Sequence, residues 1–225
     1  MNSLQISTPA RSIKGSYVVH QSDDQFGAVV AYSCYQSSKD AKPHRISESF
    51  HDLATRCGRT PPITSKDEGP VFSPFTYAPV AGGTYSAREC GFLCFTFENF
   101  CPFETQASAI LNCVEGIASF IYSTRAHFYC AHRRGNYQLV IALRTPIPAE
   151  YYKQVAMRFA LRFQGLDVGI NSSYMLTHQK IAFPSCTSQR RQHWFRLQTQ
   201  RGRAFDWLPD LLEAQSALVP RWSVQ

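Results

Sequence analysis

The densest group of chemistry-bearing side chains lies toward the C-terminus, where Arg190-Arg191-x-His193-Trp194-x-Arg196 is followed by Arg201-x-Arg203. Cations hold phosphate oxygens and an indole gives a nucleobase a face to stack on, so this mixture suits nucleic acid. Arginine and tryptophan are also the favoured anchors of protein interfaces. A basic hairpin with Trp194 folded onto the body has the same composition. A second basic group, Arg125 with His132, Arg133 and Arg134, stands close in sequence to His127. Two carboxylates matter as well. Glu98 closes an apolar run, and Asp167 follows Gly165-Leu166. Two carboxylates and a histidine make a weak set for a divalent metal, which prefers several hard oxygen ligands. Each also has an ordinary reading, as a strand-end carboxylate, a strand-end polar residue and a turn-forming Asp. Cys130-x-His132, His178, Cys186 and His193 supply zinc-type ligands, but no pair has Cys-x2-Cys spacing, so a structural metal is not expected.

These residues need elements to position them. Gly91-Phe92-Leu93-Cys94-Phe95-Thr96-Phe97-Glu98-Asn99 is apolar and aromatic, as a buried strand is. Thr105 is placed to cap a helix in which Ala109, Ile110, Cys113, Ile117 and Phe120 recur at helical spacing. Residues 120–124 and 137–143 read as further strands, with Arg133-Arg134-Gly135-Asn136 as the turn between them. Pro148 and Glu150 open a second helix with Tyr152, Val155, Ala156, Phe159, Ala160 and Phe163 on one face, and Gly165 ends it. Upstream, residues 17–20 and 28–32 are strand-like, and Ser47-x-Ser49 opens a helix reaching Arg56. Residues 59–88 are rich in Pro, Gly, Ser and Thr and read as a long loop with one extended piece at 70–77. Downstream, residues 180–183 form a short strand, 198–203 a hairpin tip, and 207–214 a helix with Leu208, Leu211 and Leu212 on one side. The expected class is α+β, a mixed β-sheet covered by helices. A flexible arm over residues 1–16 precedes a single domain over 17–225.

With 225 residues, 44% of them hydrophobic, the chain can bury a substantial core. Its apolar runs are too short to span a membrane, and residues 1–12 lack the apolar stretch of a secretory signal, so a cytoplasmic location is expected. The eight cysteines are accordingly expected to be reduced. A net charge of +7 favours acidic partners, whether nucleic acid or an acidic protein face. No Walker A loop, dinucleotide fingerprint or Gly-x-Ser-x-Gly elbow is present, which argues against ATPases, dinucleotide enzymes and common serine hydrolases.

The order of these elements resembles the primase-polymerase domains of plasmids and phages, of the archaeo-eukaryotic primase type. The resemblance covers roughly residues 46–214. It runs through Ser47-Glu48-Ser49-Phe50, Lys66-Asp67-Glu68-Gly69-Pro70-Val71-Phe72-Ser73-Pro74, the three core strands, Pro146-Ile147-Pro148-Ala149-Glu150-Tyr151, Phe183-Pro184-Ser185 and Asp206-Trp207-Leu208. Such a family implies a first-strand Asp-x-Asp for metal, a histidine on the incoming triphosphate, and a third acidic ligand. Here Glu98 matches the second carboxylate, His127 the histidine and Asp167 the third acid, while Thr96 replaces the first carboxylate. Gln138 stands where the family often carries an arginine on the third strand. A neutral hydroxyl is a poor ligand for Mg²⁺ without a charged companion, and one phosphate-neutralising charge is gone.

The resemblance and the substitutions together imply a catalytically degraded primase-polymerase-like protein of a plasmid or phage. It is expected to act without catalysis, as a regulator or inhibitor that binds another protein, such as a conjugation or replication component. Plasmid fertility inhibition is one such role. Arg125, Arg133, Arg134, Arg190, Arg191, Trp194, Arg196, Arg201 and Arg203 are the candidate binding residues for that partner or for DNA. One alternative is a DNA-binding plasmid replication or control protein. Another is a divergent, active primase-polymerase, a nucleotidyltransferase using Mg²⁺ or Mn²⁺ at Glu98 and Asp167; otherwise no cofactor is expected.

Overall fold

The computed structural model describes residues 25–59, 69–99, 103–124, 135–184 and 195–212. The strand expected at 17–20, the arm at 1–16 and the Arg133-Arg134 part of the expected turn lie outside them. In β1 (Val29–Tyr35), Val30, Tyr32 and Tyr35 turn inward while Val29 stays exposed. β2 (His44–Ser49) pairs with it antiparallel. This strand corrects the expected helix start: Ser47 lies in the strand, and Ser49 caps α1 (Phe50–Gly58) by accepting the Asp52 N–H at 3.0 Å. The strand carries one apolar residue, Ile46, because it lies at a sheet edge. That leaves no alternating pattern to read.

The expected loop over 59–88 is also corrected in its described part. β3 (Val71–Ser73) and β4 (Phe75–Pro79) fill the extended piece, and β5 (Tyr85–Asn99) begins well before Gly91. Next comes α2 (Phe103–Asn112), with Thr105 inside its first turn rather than at its cap. The helix stops at Asn112, so Phe120 of the expected helical stripe falls in β6 (Ser119–Ser123). β7 (Gly135–Pro148) runs directly into α3 (Ala149–Ala160), which buries Tyr152, Val155, Ala156 and Phe159 as its spacing predicts. Gly165 closes the following turn at φ +93°, a conformation open to glycine at little cost. β8 (Gly169–Ile170), β9 (Ile181–Ala182) and β10 (Leu197–Gln200) complete the strands. The expected hairpin tip at 198–203 is thus half strand. Residues 208–212 are helical, with Leu211 buried and Leu208 and Leu212 exposed. No described helix is long and apolar enough to cross a membrane.

The class is α+β. The described residues form two sheets, ordered β2-β1-β3-β9 and β10-β6-β7-β5-β4, with β8 added to β5. Every ladder between named strands is antiparallel, and parallel pairing is confined to isolated bridges at Ile117–Arg203 and Leu143–Phe205.

The two sheets meet at Gly91. The ladder between β5 and β7 shifts register between Cys90 and Phe92. The bulge switches which face each residue takes. Cys90 lies in the core under α2 and α3, together with Leu93, Phe95 and Phe97. Phe92 and Cys94 lie in the other core, against α1, Tyr32 and Phe72. At the bulge the Gly91 N–H donates to the Pro74 carbonyl at 2.8 Å, and a Cβ on Gly91 would collide with the Ala31 carbonyl of β1. β1 can cross β5 this closely because residue 91 has no side chain.

The five described cysteines are free thiols. Burial pushes the pKa of Cys57, Cys90 and Cys94 upward, so they are neutral apolar groups rather than nucleophiles or metal ligands.

Two expectations follow. Gly91→Ala should cost at least about 3 kcal/mol in urea unfolding, since a backbone carbonyl must move, whereas Gly27→Ala, which meets nothing within 4 Å, should stay within about 0.5 kcal/mol. An acid whose folded pKa is raised gives stability that is complete below its unfolded pKa and lost as pH rises past it. With unfolded thiols titrating near about 8.5, the urea midpoint should hold to about pH 8 and fall toward about pH 10.5. A midpoint unchanged at the upper end would show that the buried thiols and phenols ionise in place.

Candidate functional site

Beyond the bulge, alternation puts Thr96 and Glu98 on the same face of β5 as Phe92 and Cys94, toward the four-stranded sheet. Gln138 of β7 is the direct register partner of Thr96. The Thr96 hydroxyl donates to the Gln138 amide oxygen at 2.8 Å, and the Gln138 amide nitrogen donates to the Cys94 sulfur. Gln138 is only 2% exposed, so both ends of its amide are held where water does not compete. Thr96 and Gln138 are therefore one cross-strand pair, neutral and hydrogen-bonded.

Glu98 lies two residues further along, at the exposed end of the strand. Its carboxylate accepts the Asn171 side-chain N–H at 3.0 Å, and the Asn171 backbone N–H donates to the Thr96 carbonyl at 2.9 Å. β8 pairs Gly169 with Glu98 and Ile170 with Phe97. Asp167, two residues before Gly169, is thereby carried to the same end of the sheet and is exposed there. The structure thus brings Glu98 and Asp167 to one end. No group of three His, Cys, Asp or Glu side chains able to hold a metal forms among the described residues. Glu98 and Asp167 are the two carboxylates that could hold a divalent ion at this end. The Thr96 hydroxyl is directed at Gln138 and one Glu98 oxygen accepts from Asn171, which leaves a sparse set of oxygen ligands among the described residues.

Asn171, Cys94 and Tyr122 were not singled out by sequence reasoning. Asn171 accepts the Ser173 N–H at 2.9 Å, and the run Asn171-Ser172-Ser173 is a legible turn-capping signal. Its reach to Glu98 depends on a two-residue strand that no periodicity announces. Tyr122 of β6 pairs with Gln138 from the side opposite Thr96. Burial pushes its phenol well above the ordinary range. Its hydroxyl, like that of Thr124 just past the strand, is buried without a hydrogen-bond partner among the described residues.

The basic residues divide. His127, Arg125, Arg133, Arg134, Arg190, Arg191 and Trp194 lie outside the described residues, as do Cys130, His132, Cys186 and His193. Arg196 is half-buried, and its backbone N–H and carbonyl both bond Ser123, each at 2.9 Å. Arg201 and Arg203 are exposed. β10 lies three strands from β5, roughly 14 Å away, and Arg201 is offset along the strand from the Glu98 row by roughly 20 Å more. Arg201 and Arg203 therefore do not belong to the Glu98 end.

No protein-family model matches the chain, and no curated protein matches it by sequence. The structure is similar to the archaeo-eukaryotic primase domain of the primase-polymerase of cyanophage S-2L. The TM-score is 0.46 at 9% identity, over 84% of this chain and 89% of that one. It is also similar to the polymerase domain of Mycobacterium tuberculosis ligase D, solved in complex with DNA. There the TM-score is 0.38 at 12% identity, over 83% of this chain and 71% of that one. Both likenesses are loose and say nothing of the chemistry at this site.

The Thr96–Gln138 pair is open to a double-mutant cycle. Thr96→Val leaves the buried Gln138 oxygen unpaired and should cost about 1–3 kcal/mol. Adding Gln138→Leu should recover part of that loss, giving a coupling of about 1 kcal/mol in denaturant unfolding. Strictly additive losses would show that the two side chains do not depend on each other.

Proposed function

We propose that this chain is a primase-polymerase-like protein that no longer transfers nucleotides and acts by binding a protein of a plasmid transfer or replication system. The observation that carries this reading is the Thr96–Gln138 hydrogen bond. A buried cation left behind when its facing carboxylate is lost costs several kcal/mol. A centre that lost its carboxylate alone would leave an arginine in that position. In this chain both positions are neutral and satisfied, as they would be in a site whose charge chemistry has been given up. The buried thiols offer no replacement nucleophile, because burial keeps them protonated. The positive charge of the chain then serves recognition of an acidic partner surface. Inhibition of conjugal transfer is the form of regulation that best suits such a protein.

The test joins two measurements. Purified protein should incorporate no nucleotide on primed or unprimed single-stranded templates with Mg²⁺ or Mn²⁺. Donor cells making the protein should transfer a susceptible plasmid about tenfold less often or worse, a loss ordinary for a blocked interface. Glu98→Ala should leave that inhibition intact, and Arg191→Ala with Trp194→Ala should relieve it. Incorporation abolished by Glu98→Ala would instead make the chain an active enzyme. Retention of DNA that falls steeply with salt, without any effect on transfer, would make it a DNA-binding control protein.

A further inference from the structure

The open edge of the six-stranded sheet has a second feature, remote from Glu98. Among the described residues β10 is the edge strand and pairs with β6 alone. Ser123 donates its N–H to the Arg196 carbonyl at 2.9 Å. Bonded and non-bonded pairs alternate along an antiparallel ladder, so the backbone groups of Leu197 and Thr199 point away from β6. No described residue pairs with them there. Beside this edge lies a cleft of about 400 Å³, bounded by α1 and β10. Its apolar wall is Phe26, Ala54 and Leu197, and its polar wall carries His51, Arg59 and Arg201. No carboxylate lines it, and neither arginine forms an ion pair with a carboxylate among the described residues. Leu197 and Thr199 share one face of the strand, and with Arg201, the residue just past its end, they line the cleft.

We infer that this cleft captures an acidic, extended segment of a partner protein by strand addition to β10. The segment's backbone pairs with Leu197 and Thr199. On the face turned to α1, an apolar side chain packs against Phe26, Ala54 and Leu197, and a carboxylate two residues away meets Arg59 and Arg201. Three features select this occupant. Unpaired N–H and C=O groups in strand geometry are matched by another peptide backbone, which nucleic acid lacks. Unpaired guanidinium groups call for an anion, and arginine matches a carboxylate in planar geometry. A second copy of this chain, with net charge +7, would bring like charge to a basic cleft. The inference rests on the protein-binding reading proposed above and names the chemistry of the partner.

The probe is a labelled peptide of about ten residues repeating Thr-Val-Thr-Asp, titrated against the full chain by fluorescence anisotropy. Replacing its Asp by Lys, or N-methylating its alternate amides, should weaken binding by about tenfold or more. Arg201→Glu and Thr199→Pro should do the same, the proline removing an outward N–H without touching the ladder to β6. If Thr199→Pro does not fold, Arg201→Glu remains as a test, together with amide shifts at Leu197 and Thr199 in the wild type on adding peptide. Failure of the acidic peptide to bind, equal binding of the N-methylated one, or displacement by a tighter-binding single-stranded oligonucleotide would each overturn the inference. Nucleotide incorporation by the same preparation is a separate readout. Its appearance would overturn the loss of catalysis and leave the peptide result standing, whereas peptide failure in an inactive protein removes this inference alone.

Discussion

Everything in this fold depends on one crossing, where β1 passes β5 at Gly91 with the Ala31 carbonyl occupying the place of a side chain. A strand of fifteen residues is long enough to serve both sheets. Without a change of face it would present one set of side chains to one layer along its whole length. The bulge at Gly91 makes that change. Before it, Cys90 faces the layer of α2 and α3; beyond it, Phe92 and Cys94 face α1 and the smaller sheet. Both cores are therefore tied to a single strand, and each fully buried phenylalanine on it contributes about 1.5–3 kcal/mol. Phe92, Phe95 and Phe97 are all fully buried.

The same change of face decides where chemistry can occur. Thr96 and Glu98 follow Phe92 and Cys94 by alternation, so the candidate site begins where the second core ends. Thr96 is half-buried and Glu98 exposed. A charged ligand at residue 96 would need a counter-charge on β7, because the register places residue 138 directly opposite. Thr96 and Gln138 meet this constraint without charge. A hydroxyl and an amide satisfy each other at 2.8 Å, and the amide's other end rests on a neutral thiol. Such an arrangement ties β5 to β7 without charge.

The most apolar elements were legible in the sequence, and several polar or very short edge strands were not. β5, β7 and α3 stand out because Phe92, Phe95, Leu139, Val140, Tyr152 and Phe159 are apolar at strand or helical spacing and fully buried. β2 escaped notice because Ile46 is its one apolar residue, and β8 because two residues carry no period. β10 was read as a turn because Gln198, Thr199 and Gln200 are polar and only half-buried at the sheet edge. At the candidate site, type and order single out Thr96, Glu98, Asp167 and Gln138. That Thr96 and Gln138 answer each other, and that Asn171 holds Glu98, depends on register, which side-chain types alone do not fix.

The distance between the Glu98 end and the α1–β10 cleft follows from the sheet order. Three strand spacings and several residues of offset separate Arg201 from Glu98, and the fully buried Tyr122, Phe120, Val140 and Ala142 fill the ground between them. Substitution at the Thr96 end perturbs a hydrogen-bonded pair at the margin of the core and leaves the α1–β10 edge where it was. A binding surface at that edge is thus free of the charge requirements of a metal centre. Conversely, a neutral pair at residues 96 and 138 does not touch that cleft. The neutral Thr96–Gln138 pair and the α1–β10 cleft are kept apart by the sheet that Gly91 allows β1 to cross.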